Sequence, residues 1–203
     1  MTAATTIDAS TNLRDRLRQH APRESIAAFL DGLTAQERVD EALSLRNKEV
    51  GQLYRAVVGG RQTTVEDFLP ADVPEDTTVI FEGRNSLPAF SRFQKRFARM
   101  GGQVVGYNHQ TMAFATGPGF FVVREGSLTA DVANEAYFDY TTAPAAVPTG
   151  WPDFKPNDAG LSNLVYRGMK DYMREVATNV YVGEAYKGGR SQKQFFILTR
   201  VGD

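Results

Sequence analysis

The sequence predicts an α+β protein: an antiparallel β-sheet of six or seven strands, curled or closed into a barrel, with an N-terminal helical arm and two packed helices. Three observations predict this fold. Residues 1–60 show helical periodicity, the later segments show β-branched and aromatic runs separated by glycine, and 11% of the 203 residues are aromatic. We expect residues 1–60 to form the helical arm and residues 61–203 to form one antiparallel domain.

The helical arm is predicted from a capping signal and an apolar stripe. Thr34 followed by Glu37 has the spacing of a capping box, which marks the start of a helix. Apolar residues then recur three and four positions apart until Gly59 and Gly60 end the pattern. The stripe consists of Val39, Leu43, Val50, Leu53, Tyr54 and Val57.

The strands are predicted from short apolar runs bounded by turn residues. Gly117-Pro118-Gly119 separates two of these runs, and Lys187-Gly188-Gly189-Arg190 is the turn of a C-terminal hairpin. The predicted strands are residues 77–81, 103–107, 111–116, 119–124, 136–140, 179–186 and 194–201. Residues 143–160 contain four prolines and are predicted to form a long irregular loop.

Two helices are predicted to pack against the sheet. The first spans Leu87 to Phe97 and carries an aromatic face, with basic residues mostly on its other, solvated side. Those basic residues are Arg92, Lys95, Arg96 and Arg99. The second spans Leu161 to Val176, where apolar residues recur three and four positions apart.

Composition excludes several classes of chemistry. The chain has no cysteine and only two histidines, which excludes disulfides and thiolate sites and makes a metal site unfavourable. The formal net charge of -1 gives no overall field for nucleic acid. No apolar run reaches the length of a membrane span, and no phosphate-binding loop or nucleophile elbow is present. We therefore expect a cytoplasmic protein without a nucleic-acid partner or a membrane span.

The densest polar group predicts one end of a ligand site. Tyr107, Asn108 and His109 follow one another at a strand junction, and Arg84 and Asn85 lie at the end of another predicted strand. His109 could act as a general base or orient a ligand carbonyl, or the run could be a polar hairpin connection. Arg84 could hold a carboxylate, or it could join loops through backbone carbonyls.

Two further groups of polar residues leave alternatives open. Tyr166, Lys170, Asp171 and Arg174 lie on the second predicted helix, where they could form an anion-holding edge or a solvated charge cluster. Asp139 and Glu184 lie on predicted strands and could form a carboxylate pair if both side chains point inward.

The C-terminal third of the chain carries a family resemblance. Residues 171–176, 180–185 and 195–200 resemble the end of the GXWXG-motif family of bacterial proteins, which are similar to nitrobindin-like and fatty-acid-binding calycin barrels. The resemblance implies a calycin-like barrel. It also implies that Phe81 and Arg200 take the places of a tryptophan and an arginine that pack together in calycins. Trp151 lies instead in the proline-rich loop, and the nitrobindin haem ligand has no clear counterpart apart from His109.

These observations favour a protein that binds a small hydrophobic molecule, such as a lipid, a polyketide or a porphyrin-like compound, in an apolar cavity. The predicted ligand-binding residues are Arg84, Asn85, Tyr107, Asn108, His109, Phe114, Phe120, Tyr166 and Phe196. No metal site is predicted, and the cofactor is left open.

Three alternatives remain. The interior could be filled by its own side chains. The protein could instead be a cyclase, isomerase or hydrolase acting on a hydrophobic substrate, with His109 or Asp139 as the acid/base. It could also be a structural module that forms a homodimer through its N-terminal helices.

Overall fold

Eight antiparallel strands close into a barrel in the computed structural model of this chain, which describes residues 11–46, 48–86, 91–109, 117–128, 135–158, 160 and 162–202. Each strand pairs with the next along the chain, and the last pairs with the first. The strands are β1 Val79–Asn85, β2 Arg92–Met100, β3 Gln103–His109, β4 Phe121–Gly126, β5 Glu135–Asp139, β6 Met169–Ala177, β7 Val180–Lys187 and β8 Arg190–Arg200. The predicted curled antiparallel sheet is confirmed, but the count of six or seven strands is too low.

Among the described residues, four helices precede the barrel, and they confirm the helical periodicity of the first part of the chain. They are α1 Leu13–Arg18, α2 Arg23–Asp31, α3 Ala35–Ser44 and α4 Lys48–Ala56, while a fifth, α5 Ser162–Tyr166, precedes β6. The capping box of Thr34 and Glu37 is present at the start of α3. Within the described ranges, no helix has both the length and the apolar character needed to cross a membrane.

The four N-terminal helices cover one outer wall of the barrel. Their apolar side chains, among them Leu30 and Leu53, form one buried cluster with outward-facing residues of β6, β7 and β8. The barrel residues of this cluster are Val176, Ala177, Val180, Val182 and Ile197. The outer cluster buries apolar surface on the far side of the sheet from the interior, so these three strands carry buried apolar residues on both faces.

The predicted helix from Leu87 to Phe97 is wrong over its described part. Residues 92–97 belong to β2, and residues 87–90 lie outside the described ranges. Phe93 and Phe97 fit a helical spacing, but they also alternate with Arg92 and Arg96 in the two-residue period of a strand. Pairing with β1 and β3 selected the strand, because barrel closure supplies hydrogen-bond partners on both of its edges.

The predicted helix from Leu161 to Val176 is also wrong over most of its length. The helix α5 ends at Tyr166, Gly168 adopts a φ of 71°, and β6 begins at Met169. Met173 faces the interior of the barrel whereas Val176 contacts the outer helical layer. Because apolar residues lie on both faces of β6, its sequence does not alternate strictly between apolar and polar residues. Its apolar residues therefore also fit the spacing of an amphipathic helix.

One end of the barrel interior is closed by the segment between α4 and β1. This segment contains a short 3₁₀ turn, Val65–Asp67, which is followed by the fully buried Phe68. The ring of Phe68 lies with its centroid 4.8 to 6.0 Å from four interior rings. These rings belong to Phe81, Phe97, Phe138 and Tyr181.

A charged contact holds this segment in place. The Arg61 guanidinium donates to Asp67 at 2.5 Å and to Glu175 of β6 at 2.6 Å. The Thr63 hydroxyl donates to the Met173 carbonyl at 2.9 Å, which adds a second tie to β6. Side chains therefore fill this end of the interior, in agreement with the alternative of a packed core for this half of the barrel.

Replacing Phe68 with alanine is expected to lower the free energy of unfolding by about 3–5 kcal/mol, because it leaves a cavity among four rings. Phe154→Ala is the matched control, since Phe154 lies in the proline-rich loop and is 39% exposed. The control is expected to change stability by about 1 kcal/mol or less. Chemical denaturation of both variants provides the measurement, and equal losses would contradict the role of Phe68 in closing the barrel.

Candidate functional site

The other half of the barrel interior contains a polar network centred on Lys95. The Lys95 ammonium donates to Asn108 Oδ1 at 2.7 Å, to the Tyr140 hydroxyl at 2.5 Å and to Asp171 Oδ2 at 3.2 Å. The Tyr140 hydroxyl donates in turn to Asp171 Oδ2 at 3.0 Å. All four residues are buried, with Lys95 only 2% exposed. The network therefore holds a complete cation and anion pair away from solvent.

Strand alternation explains why Lys95 faces inward. It lies between Phe93 and Phe97 on β2, and all three residues point into the barrel because side chains two positions apart share one face. Register places Asn108 of β3 directly beside Lys95. Asp171 lies two residues after the start of β6. Lys95 lies near the start of β2, two residues after the half-buried Phe93. Measured along their strands, both residues therefore lie within about 10 Å of the end of the barrel at which β2 and β6 begin.

Five aromatic rings surround the Lys95 ammonium. Its nitrogen lies 4.8 to 5.7 Å from their centroids, which is within the range of a cation–π interaction. The rings belong to Phe93, Phe121, Phe138, Tyr140 and Phe196. The ammonium is thus stabilised both by hydrogen bonds and by the negative faces of aromatic rings.

Three of these rings lie against glycines of the neighbouring strand. Register pairs Gly83 with Phe93, Gly106 with Phe121 and Gly183 with Phe196. A Cβ atom at these glycines would lie 2.7, 2.4 and 2.4 Å from the paired ring, closer than real contacts allow. The rings therefore extend along the wall towards the next strand, and each needs a residue without a side chain beneath it.

Burial changes the protonation chemistry of the pair. It lowers the pKa of the Lys95 ammonium, an effect that the neighbouring Asp171 opposes. It raises the pKa of the Asp171 carboxyl, and here Lys95 opposes the change. Burial thus acts against the charged form of each group, while the charge of each group favours the charged form of the other. Burial also raises the pKa of Tyr140, so its hydroxyl keeps its proton.

Three predicted ligand-binding residues lie at or beside this network. Asn108 belongs to it, and the Phe196 ring is one of the five around Lys95. Tyr166 of α5 stacks on the Tyr140 ring at 5.2 Å, with an angle of 10° between the two planes. A Cβ atom at Gly119 would lie 2.4 Å from the Tyr166 ring, so this ring is held between Gly119 and Tyr140.

Three other predicted ligand-binding residues lie on the outer face of the barrel. Tyr107 packs against Trp151 of the proline-rich loop at 4.7 Å, and Phe120 packs against Tyr107 at 5.6 Å. His109 is exposed at the end of β3, where burial of part of its ring and the nearby Arg96 lower its pKa. Consecutive strand residues point to opposite faces, so the structure separates Tyr107 and His109 from Asn108.

The remaining predicted residues lie at the end of β1 or beyond the described chain. The Arg84 guanidinium donates to the Leu43 carbonyl at 2.7 Å, which joins the barrel to α3 and matches the interpretation of Arg84 as a link between segments. Asn85 is the last residue of β1, and its backbone N–H donates to the Ser91 carbonyl at 2.8 Å. Phe114 lies outside the described residues.

The carboxylates that the sequence suggested as a pair have separate partners. Asp139 accepts hydrogen bonds from Thr141 and Thr142 just after β5. Glu184 accepts hydrogen bonds from Tyr186 and Ser191 at the β7–β8 hairpin. Each carboxylate stabilises its own local turn or hairpin, which explains their burial without a shared site.

The charged group predicted on the second helix is divided by the strand that replaces that helix. Asp171 points into the barrel, whereas Lys170 lies over the Tyr137 ring at 4.8 Å on the outer face. Arg174 donates to Glu135 at 3.0 Å, also on the outer face. The interpretation of these residues as one cluster is therefore wrong, because alternation along β6 places them on two faces.

The proline-rich loop lies across the outer face and the edge of the barrel near Tyr140. The side-chain amide of Asn157 holds the loop in this position, because it donates to the Phe120 carbonyl at 2.7 Å and to the Tyr140 carbonyl at 2.9 Å. A cavity of about 320 Å³ lies between the loop and the turn before β6, and its lining includes Asp158 and Arg167. Its lining mixes polar and apolar residues and includes Tyr140, whose hydroxyl belongs to the Lys95 network.

Sequence reasoning missed Lys95, Tyr140 and Asp171 as one site. The available signal was the run Phe93, Lys95, Phe97, in which a lysine occupies the aromatic face of a possible strand. Among the residues that the structure describes, no group of three or more His, Asp or Glu side chains could hold a metal ion. The lysine-centred network is therefore the candidate site.

Comparisons with known proteins found no match to this chain among protein-family models, curated proteins or solved structures.

Replacing Lys95 alone is expected to destabilise the protein more than replacing the whole ion pair. Lys95→Met leaves Asp171 buried without its cation, which is expected to cost about 3–5 kcal/mol at neutral pH. The double variant Lys95→Met/Asp171→Leu removes both charges and is expected to remain within about 1 kcal/mol of the wild type, or above it. Urea denaturation of the three proteins measures this difference, and equal stability of the two variants would contradict a paired buried charge.

The penalty of the single variant is expected to grow with pH. Without Lys95, burial holds the folded-state pKa of Asp171 above its unfolded value. The protonated carboxyl therefore contributes stability that is fully present below the unfolded pKa and is lost as pH rises through the folded pKa. The stability difference between Lys95→Met and the double variant, measured across acidic to neutral pH, isolates Asp171. A difference that shrinks with rising pH would contradict this assignment.

Proposed function

We propose that this protein binds a small hydrophobic ligand inside the barrel, with the polar end of the ligand at Lys95, Asn108, Tyr140 and Asp171. The observation that carries the proposal is a fully buried lysine–aspartate pair in an aromatic-walled interior.

Stability alone is a weak reason for this ion pair. Desolvation of two charges offsets most of their mutual attraction, and apolar residues of similar volume often replace such a pair without loss. Buried titratable groups with strongly changed pKa values, in contrast, are concentrated at functional sites. The pair therefore supports a binding or chemical role.

The geometry favours a compact and planar ligand. The half of the interior beyond Phe97 is filled by the cluster around Phe68, so the proposed ligand has to occupy the end near Lys95. Phe93 and Met169 lie half-buried at that end of the barrel. Aromatic walls suit a flat apolar body, and the Lys95 ammonium suits a carbonyl or carboxylate oxygen. A long lipid chain fits this arrangement less well than a small aromatic or polyketide-like molecule.

The alternative functions receive less support from the geometry. The acid/base candidates His109 and Asp139 lie on the outer face of the barrel. The apolar residues of the N-terminal helices pack against the barrel wall, so those side chains already have a partner within the chain.

The test uses 2-naphthoate, a planar probe with one carboxylate, in calorimetric titration of the full chain. We expect saturable binding to the wild type and binding at least about tenfold weaker to Lys95→Met/Asp171→Leu, since a hydrogen bond to a charged group contributes about 1.5–3 kcal/mol. Lys170→Met is the matched control, because Lys170 lies on the outer face. Equal affinity of all three proteins would contradict the proposal.

A further inference from the structure

We propose that Lys95 binds its ligand covalently, by condensing with an aldehyde or ketone to form an imine inside the barrel. This inference rests on the proposed function, because the carbonyl ligand occupies the same aromatic-walled end of the interior. It names the ligand class: a compact apolar carbonyl compound.

Imine formation requires an amine, a nearby acid/base and protection from water. Lys95 supplies a primary amine that is 2% exposed, so an imine formed there is shielded from bulk water. Asp171 Oδ2 lies 3.2 Å from the amine and 3.0 Å from the Tyr140 hydroxyl. One carboxyl can therefore exchange protons with both the nucleophile and a neighbouring hydroxyl.

A neutral amine is available without a change in the total charge of the interior. If the ammonium passes one proton to Asp171, the pair becomes a neutral amine and a neutral carboxylic acid. Burial favours this distribution, since it lowers the pKa of Lys95 and raises that of Asp171. The Tyr140 hydroxyl remains protonated and can donate a hydrogen bond to a carbonyl oxygen.

The reaction then proceeds in two balanced steps. The Lys95 nitrogen forms a bond to the carbonyl carbon, the carbonyl oxygen takes the proton from Asp171, and the nitrogen returns one proton to the carboxylate, which yields a carbinolamine. In the second step the hydroxyl of the carbinolamine takes a proton from Asp171 and leaves as water. The nitrogen lone pair forms the C=N bond, and the remaining N–H proton returns to Asp171.

The other lysines of the chain have different surroundings. Lys48, Lys155 and Lys193 are exposed, and Lys170 lies over an outer ring. Lys187 donates to the Leu164 carbonyl near the surface. Because these amines lie outside the barrel interior, peptide mapping distinguishes an adduct on any of them from an adduct on Lys95.

The experiment incubates the full chain with 2-naphthaldehyde and sodium cyanoborohydride at neutral pH, which reduces an imine to a stable amine. We expect an adduct by intact-protein mass spectrometry, which peptide mapping locates at Lys95 and separates from any adduct on the N-terminal α-amine, a group that is also partly neutral at this pH. The Lys95 adduct should form at least about tenfold faster than adducts on the other lysines, since a positioned acid/base such as Asp171 typically accelerates proton transfer by about 10²–10⁴-fold. Lys170→Arg should label like the wild type, and Lys95→Arg should lose the fast adduct.

Asp171→Asn provides a second variant that keeps the amine. It should form the Lys95 adduct at least about tenfold more slowly, because the positioned carboxyl that exchanges protons with the nitrogen is lost. A fast adduct that persists in Lys95→Arg, or labelling spread over the exposed lysines, would overturn covalent binding. If 2-naphthoate binds through Lys95 while no adduct forms there, the covalent step fails and the proposed function stands. If neither probe engages Lys95, both fail.

Discussion

Closing eight strands into a barrel forces every second side chain into one small interior, and a charge placed there must find its partners there. Lys95 meets this constraint through three acceptors on three other strands or strand ends, Asn108, Tyr140 and Asp171. The contact between Lys95 and Asp171 depends on closure, because the two residues are separated by 76 positions and lie on β2 and β6, which are not neighbours in the sheet. The ion pair therefore depends on the completed barrel.

One half of the barrel interior is filled by packed aromatic rings, and the other half contains the charged network of Lys95. Around Phe68, aromatic rings pack against one another. The segment that precedes β1 closes this end of the barrel interior. Around Lys95, rings lie along the wall over Gly106 and Gly183 of the neighbouring strands, and they surround a nitrogen atom. The same residue types thus give stability in one half and an electrostatic environment in the other, because only the second half contains a charge.

This division gives the proposed binding role a physical basis. A packed half holds the barrel rigid, and a rigid wall keeps the amine of Lys95 within fixed distances of Asp171 and Tyr140. The outer helices add a second buried layer against β6 to β8, which fixes the strand that carries Asp171. Rigidity on both faces of β6 therefore positions one half of the ion pair.

The sequence by itself determined the helical start of the chain, the capping box at Thr34 and the antiparallel, aromatic character of the rest, because capping and turn chemistry act over a few residues. It placed Asn108 and Phe196 in a candidate site, but it assigned Lys95 to a solvated helix face. Only the tertiary structure decided that residues 92–97 form a strand with Lys95 inside. Local spacing permits both structures, and the hydrogen bonds that select the strand come from residues distant in the chain.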